Sequence, residues 1–124
     1  MDLQLIGKTA LITGGSKGLG RGTAETLAAE GCHLHLAART EADLEKARTE
    51  LMADHGVDVI IHPTDLSAGD AARELAKRTE GIDILVNCAG AIKAGNIEMI
   101  DEETWLEGWN LKIFGFINLT RAVY

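Results

Sequence analysis

Residues Thr13 to Gly20 read TGGSKGLG, and within them Gly14, Gly18 and Gly20 keep the spacing G-x-x-x-G-x-G. That spacing has a chemical use. A helix N-terminus presents unpaired backbone N–H groups and a partial positive charge, so it favours an anion such as a pyrophosphate. Bringing the anion there needs a tight turn out of a strand, a stretch of backbone bare of Cβ, and a helix held close behind. Gly14, Gly18 and Gly20 stand where those three needs arise. A flexible turn would give similar letters, since glycine patterns alone are weak. The context favours the phosphate cradle: the apolar run TALI precedes the loop, and a helical pattern begins at Leu19.

A second group of residues bears on which anion. The next apolar run ends LAART, so Ala38 holds the position where a dinucleotide site selecting NAD carries an acid for the ribose hydroxyls. Arg39 follows, and a guanidinium accepts nothing from a hydroxyl but binds phosphate well. Lys17 and Ser16 in the glycine loop could reach the same 2′-phosphate. Either cation alone would read as an ordinary solvated charge. Together, with no acid at the strand end, they point to NADP rather than NAD.

Other residues carry two readings each. Asp65 is either an adenine contact at the carboxyl end of a strand or a cap for the helix that follows. Asn87 ties the fourth strand to neighbouring backbone, while Ala89 and Gly90 leave space for a nicotinamide ribose. Asn110 lies within a helical stretch, where asparagine is a mediocre choice, and reads as a polar residue tolerating a kink. Cys88 would be a nucleophile beside a cofactor, or a small hydrophobe as buried cysteines usually are. His33 and His35 share a strand face and His62 ends the next strand, but no carboxylate or cysteine completes a metal set. We expect structural histidines and no metal.

The elements that would position these residues alternate along the chain. Strands are expected at Thr9–Thr13, Cys32–Ala38, Val57–His62 and Ile82–Asn87, the first a short continuous apolar run of the kind covered on both faces and the last nearly all apolar. Between them run helices. Leu19–Glu30 buries Gly20, Ala24, Leu27 and Ala28 and is closed by Gly31. The next helix opens on the capping-box pattern TEAD and buries Leu44, Ala47 and Leu51. A third opens on SAGD at Ser67–Asp70. A last helix runs from about Glu102 to the end. Such β-α alternation with short connections predicts an α/β doubly wound parallel sheet.

Composition sets the outer bounds. With 124 residues, 46% hydrophobic and 25% charged, the chain is sized for one domain with a real core. A net charge of −7 argues against broad binding to nucleic acid or an anionic membrane. No apolar stretch approaches a membrane span, and MDLQLIGK lacks the features of a signal peptide. Two isolated cysteines, Cys32 and Cys88, suggest buried thiols in a reducing compartment. The expectation is a cytoplasmic protein.

Four stretches in register resemble the short-chain dehydrogenase/reductase family. TGGSKGLG resembles its T-G-x-x-x-G-x-G loop, and DLS (Asp65 to Ser67) looks like its adenine contact. NCAG (Asn87 to Gly90) resembles its N-N-A-G motif, with Cys88 in place of the second asparagine. WNLKIFGFINLTRA (Trp109 to Ala122) resembles the long helix that carries its catalytic asparagine, here Asn110. The resemblance covers essentially all of residues 1–124 and implies a Rossmann-type NAD(P)-binding domain. It implies an oxidoreductase moving a hydride between NADP(H) and a small carbonyl or alcohol substrate. The cofactor residues would be Gly14, Ser16, Lys17, Gly18, Leu19, Gly20, Arg39, Asp65, Leu66, Asn87, Ala89 and Gly90.

The resemblance also assigns roles to the last helix. The Asn110 backbone carbonyl would hold a water in the proton relay of a catalytic lysine. The helix, apolar on more than one face, would pack against its copy in a homodimer or homotetramer, or alternatively would cover sheet that residues 1–124 do not contain. The family's serine and its Y-x-x-x-K motif do not occur in residues 1–124, and Tyr124, still within the Asn110 helix, is not that tyrosine. The catalytic and substrate-binding part is expected beyond 124. The alternative is a dinucleotide-binding module without catalysis.

Overall fold

The computed structural model describes residues 1–90 and 92–124. Four parallel strands alternate with helices: β1 Thr9–Thr13, α1 Gly18–Ala29, β2 His33–Ala38, α2 Glu41–His55, β3 Val59–Pro63, α3 Gly69–Arg78 and β4 Ile84–Asn87. Then come α4 Glu102–Trp109, a π-helical turn over Asn110–Phe114 and α5 Gly115–Val123. The sheet order is β3-β2-β1-β4, so the winding direction reverses between β1 and β4. In register, Ala10 lies between Leu34 and Ile84, and Ile12 between Leu36 and Val86.

The alternating direction of strand side chains sends β1 residues to both faces, which is why a short all-apolar run is needed there. On one face Ala10, Ile12, Leu34 and Leu36 meet Ala24 and Ala28 of α1 and Leu44, Ala47 and Leu51 of α2. The alanines let α1 lie close to the sheet. On the other face Leu11 and Ala37 meet Ala72 and Leu75 of α3 and Leu119 of α5. Each fully buried leucine contributes about 1.5–3 kcal/mol. His35 and His62 lie on this second face as a pair, Nδ1 to Nε2 at 2.8 Å. They are structural neighbours. Among the described residues no three His, Cys, Asp or Glu side chains converge.

β1 occupies the residues expected of it, but β3 and β4 each begin two residues later than their apolar runs. Val57 is buried without pairing, and the Ile82 N–H goes to the Thr79 carbonyl, so burial extends beyond the ladder. The two capping boxes do not form. Thr40 precedes α2 but makes no side-chain cap bond, and the residue at the N-cap of α3 is Ala68, not Ser67. Their carboxylates are engaged elsewhere: Asp43 by Lys17 and Asp70 by Arg73. The helix with a true side-chain cap is α4, where Asp101 accepts from the Thr104 N–H at 2.9 Å. The expected single last helix is interrupted by the π turn, in which the Gly115 N–H reaches the Asn110 carbonyl.

Candidate functional site

The loops after β1 and β4 meet where the winding reverses, at the carboxyl ends of the strands, the place where open α/β sheets bind ligands. Thr13, fully buried at the end of β1, fastens them together. Its Oγ1 accepts from the backbone N–H groups of Cys88 (3.1 Å) and Ala89 (3.0 Å). The Gly14 N–H bonds the Ala37 carbonyl at 2.7 Å, so the loop is tied to β2 as well.

Glycines shape the loop for separate reasons. Gly14 sits at φ +66°, and a Cβ there would stand 3.0 Å from the backbone of Cys88 and Ala89. At Gly20 a Cβ would lie 2.1 Å from the Gly14 carbonyl oxygen, so the first turn of α1 rests directly on the turn that leaves β1. Gly18 is different: its φ is +56°, yet a Cβ would meet nothing within 4 Å. The chain adopts a glycine conformation beside open space, at a helix N-terminus with no side-chain cap and no acid in its first turn. Free N–H groups, an open approach and no competing carboxylate in that turn fit a pyrophosphate.

The resulting cleft has a volume of about 430 Å³. It is lined by Gly14, Ser16, Lys17, Gly18, Leu19 and Gly20 from the glycine loop, and by Ala38 and Arg39 from the end of β2. Leu66 lines it after β3, and Cys88, Ala89 and Gly90 after β4. Leu19 is 87% exposed, an apolar side chain on the lip of the cleft. Cys88 is half-buried rather than enclosed, so only Cys32 is the buried thiol expected for both cysteines. Burial raises the Cys32 thiol above its ordinary pKa, and Sγ donates to the Leu5 carbonyl.

Asp65 and Asn110 lie on an adjoining cleft that shares Arg39 and Leu111 with the first. Asp65 accepts from the Ser67 N–H at 3.0 Å, a local turn rather than a helix cap. That hydrogen bond, with the Ser67 side chain and then the Arg39 charge, holds its carboxyl below the usual range. Asn110 is exposed, and its carbonyl already serves the π turn. Asn87 lines neither cleft. Its Nδ2 donates to Thr120 Oγ1 of α5 at 3.1 Å, so it ties β4 to a helix side chain and not to backbone.

Residues to which the sequence assigned no part in the site include Thr13 and, along the cleft, Asp43, Thr64 and Lys112. Thr13 opens the quoted motif, and a threonine ending a buried strand was an available signal. The others become visible only when distant segments meet. The Lys112 stem lies over Gly90, where a Cβ would come within 2.5 Å of Lys112 Cδ. On the outer side, Trp105, Leu106, Trp109, Phe114 and Ile117 are all more than a third exposed.

The profile of the short chain dehydrogenase family matches residues 8–124. Among curated relatives, 2,3-dihydro-2,3-dihydroxybenzoate dehydrogenase of Bacillus subtilis is 35% identical, over 94% of this chain and 46% of its own length. Oxidoreductase UcpA of Salmonella typhimurium is 40% identical, over 97% of this chain and 46% of its own. Among solved structures, L-sorbose reductase from Gluconobacter frateurii, complexed with NADPH and L-sorbose, superposes with a TM-score of 0.91 at 34% identity. That match covers 99% of this chain and 48% of the reductase. The chain thus spans about half the length of the relatives it matches. It belongs to the short-chain dehydrogenase family.

Proposed function

We propose that this short-chain dehydrogenase is an NADP-dependent oxidoreductase that moves a hydride between NADP(H) and a small carbonyl or alcohol substrate. The observation that carries the cofactor choice is the end of β2. Ala38 and Arg39 line the cleft beside Lys17, and no acid stands at the strand terminus to take ribose hydroxyls. A relative of similar fold, L-sorbose reductase, is a complex with NADPH.

The dinucleotide, when bound, supplies the hydride chemistry. This chain's residues bind and orient it. The α1 N-terminus with Gly14, Ser16, Gly18, Leu19 and Gly20 would take the pyrophosphate, and Lys17 and Arg39 the 2′-phosphate. Asp65 and Leu66 would border the adenine. Ala89 and Gly90, held by Thr13, would leave room for the nicotinamide ribose, with Asn87 supporting β4 from behind. The Asn110 carbonyl, in a π turn of the kind frequent at functional sites, would hold a relay water. The tyrosine, lysine and serine of the family would belong to the half of the relatives' length that residues 1–124 do not span. The exposed apolar side of α4 and α5 is the proposed contact with a second copy, and the cytoplasm the proposed compartment.

The test titrates the full-length protein with NADPH and NADH, following nucleotide fluorescence, and then supplies carbonyl substrates. Arg39→Ala should weaken NADPH about tenfold and leave NADH nearly unchanged, the loss of one charge-assisted phosphate contact. Equal affinity of the wild type for both nucleotides would overturn the NADP assignment. Tight binding without turnover of any carbonyl would favour the non-catalytic module.

A further inference from the structure

The mouth of the cleft holds a carboxylate that the cofactor reading leaves unused. Asp43 stands in the first turn of α2 and lines the same cleft as Lys17, Arg39 and Thr40. Its Oδ2 accepts from Lys17 Nζ at 2.9 Å, joining the loop before α1 to the start of α2. The two side chains are unequally placed: Lys17 is 75% exposed and Asp43 only 32%. The lysine is therefore the more exposed partner, on the longer and more flexible stem, and Asp43 the less exposed one. Arg39, by contrast, makes no ion pair among the described residues, though Asp65 lies within its field.

An ammonium is a compact charge with three donors on a flexible stem, so one lysine can serve two anions, each at the other's expense. A 2′-phosphate arriving between Lys17 and Arg39 would find Lys17 already partnered and a carboxylate beside it. Like charges brought together oppose binding, and NAD, which has no 2′-phosphate, would feel almost none of this.

We propose that Asp43 is a specificity-determining residue that competes with the 2′-phosphate for Lys17, holding the preference for NADP over NAD below what Lys17 and Arg39 would give by themselves. The inference rests on the NADP reading above. It makes Asp43 a built-in limit on discrimination, so that nucleotide preference is set by three charges and not two.

The test measures NADPH and NADH dissociation constants on the full-length protein carrying Asp43→Asn, Glu41→Gln, Lys17→Met, and Asp43→Asn with Lys17→Met. Asp43→Asn keeps the shape and removes the charge. NADPH should bind about three- to tenfold tighter, from losing an exposed ion-pair competitor and its repulsion, with NADH changing less than about twofold. The gain should shrink in the Lys17→Met background, as coupled residues require. Glu41→Gln removes a charge from the same helical turn without touching Lys17. If it reproduces the gain, or if Asp43→Asn leaves NADPH unchanged or weaker, the inference is overturned. Should Lys17→Met leave the NADPH-to-NADH ratio of the wild type intact, the NADP reading itself has failed. Should Lys17→Met lower that ratio while Asp43→Asn does not raise it, only the role of Asp43 has.

Discussion

Lowering the pH from 7 to 4.5 should destabilise the fold through one pair of imidazoles. His62 is 6% exposed on the α3 face of the sheet, 2.8 Å from His35. Burial, then the neighbouring His35 and Arg78, lowers its pKa to about 4. Burial lowers His35 as well. A histidine with a depressed folded-state pKa takes up its proton more readily when unfolded. Its contribution is therefore fully present above the unfolded pKa, near 6.5, and fades as pH falls toward the folded value. For His62 alone the loss between pH 7 and 4.5 is about 2 kcal/mol. That corresponds to a fall of about 1–2 M in the urea midpoint for a domain of this size. Most of the window lies above the range in which the depressed aspartates Asp65, Asp83 and Asp101 take up protons, and the comparison with a His62 variant cancels what the carboxylates, Glu25 included, contribute to both proteins. Urea unfolding at pH 7 and 4.5 should therefore separate wild type from His62→Gln, whose stability should depend less on pH by most of that amount. An equal decline in both proteins would refute the assignment.

Gly20→Ala should weaken NADPH binding at least tenfold, because its Cβ would stand 2.1 Å from the Gly14 carbonyl oxygen and push α1 off the loop. Fluorescence titration measures it. Thr13→Val keeps the shape but strands the N–H groups of Cys88 and Ala89. It should cost about 1–3 kcal/mol in urea unfolding, with faster amide exchange at both positions.

Much of the scaffold was legible because a parallel strand covered on both faces needs an apolar centre; β1, with Ala10, Leu11 and Ile12 fully buried between two threonines, lies on the residues expected of it. The edges of β3 and β4 were less so. Apolar runs mark burial, and burial reaches past the ladder, fully at Val57 and partly at Ile82. The caps misled for a related reason: a Thr-x-x-Asp pattern describes local options, and Asp43 takes a partner from another segment. The glycine spacing was readable since each glycine answers a local steric need. The clamp at Thr13 depends on residues more than seventy positions apart and on the sheet order that makes them neighbours.

That sheet order also sets a timetable for the ribosome. β1 finds β2 soon after both emerge, but its other side is completed only by β4, roughly fifty residues later. At the usual pace of synthesis this leaves the central strand with a bare edge for about 2–10 seconds. An uncovered apolar edge invites pairing with other chains. The nascent protein thus passes through an interval of aggregation risk fixed by its topology, and slowing translation between Ala38 and Asn87 should lengthen it.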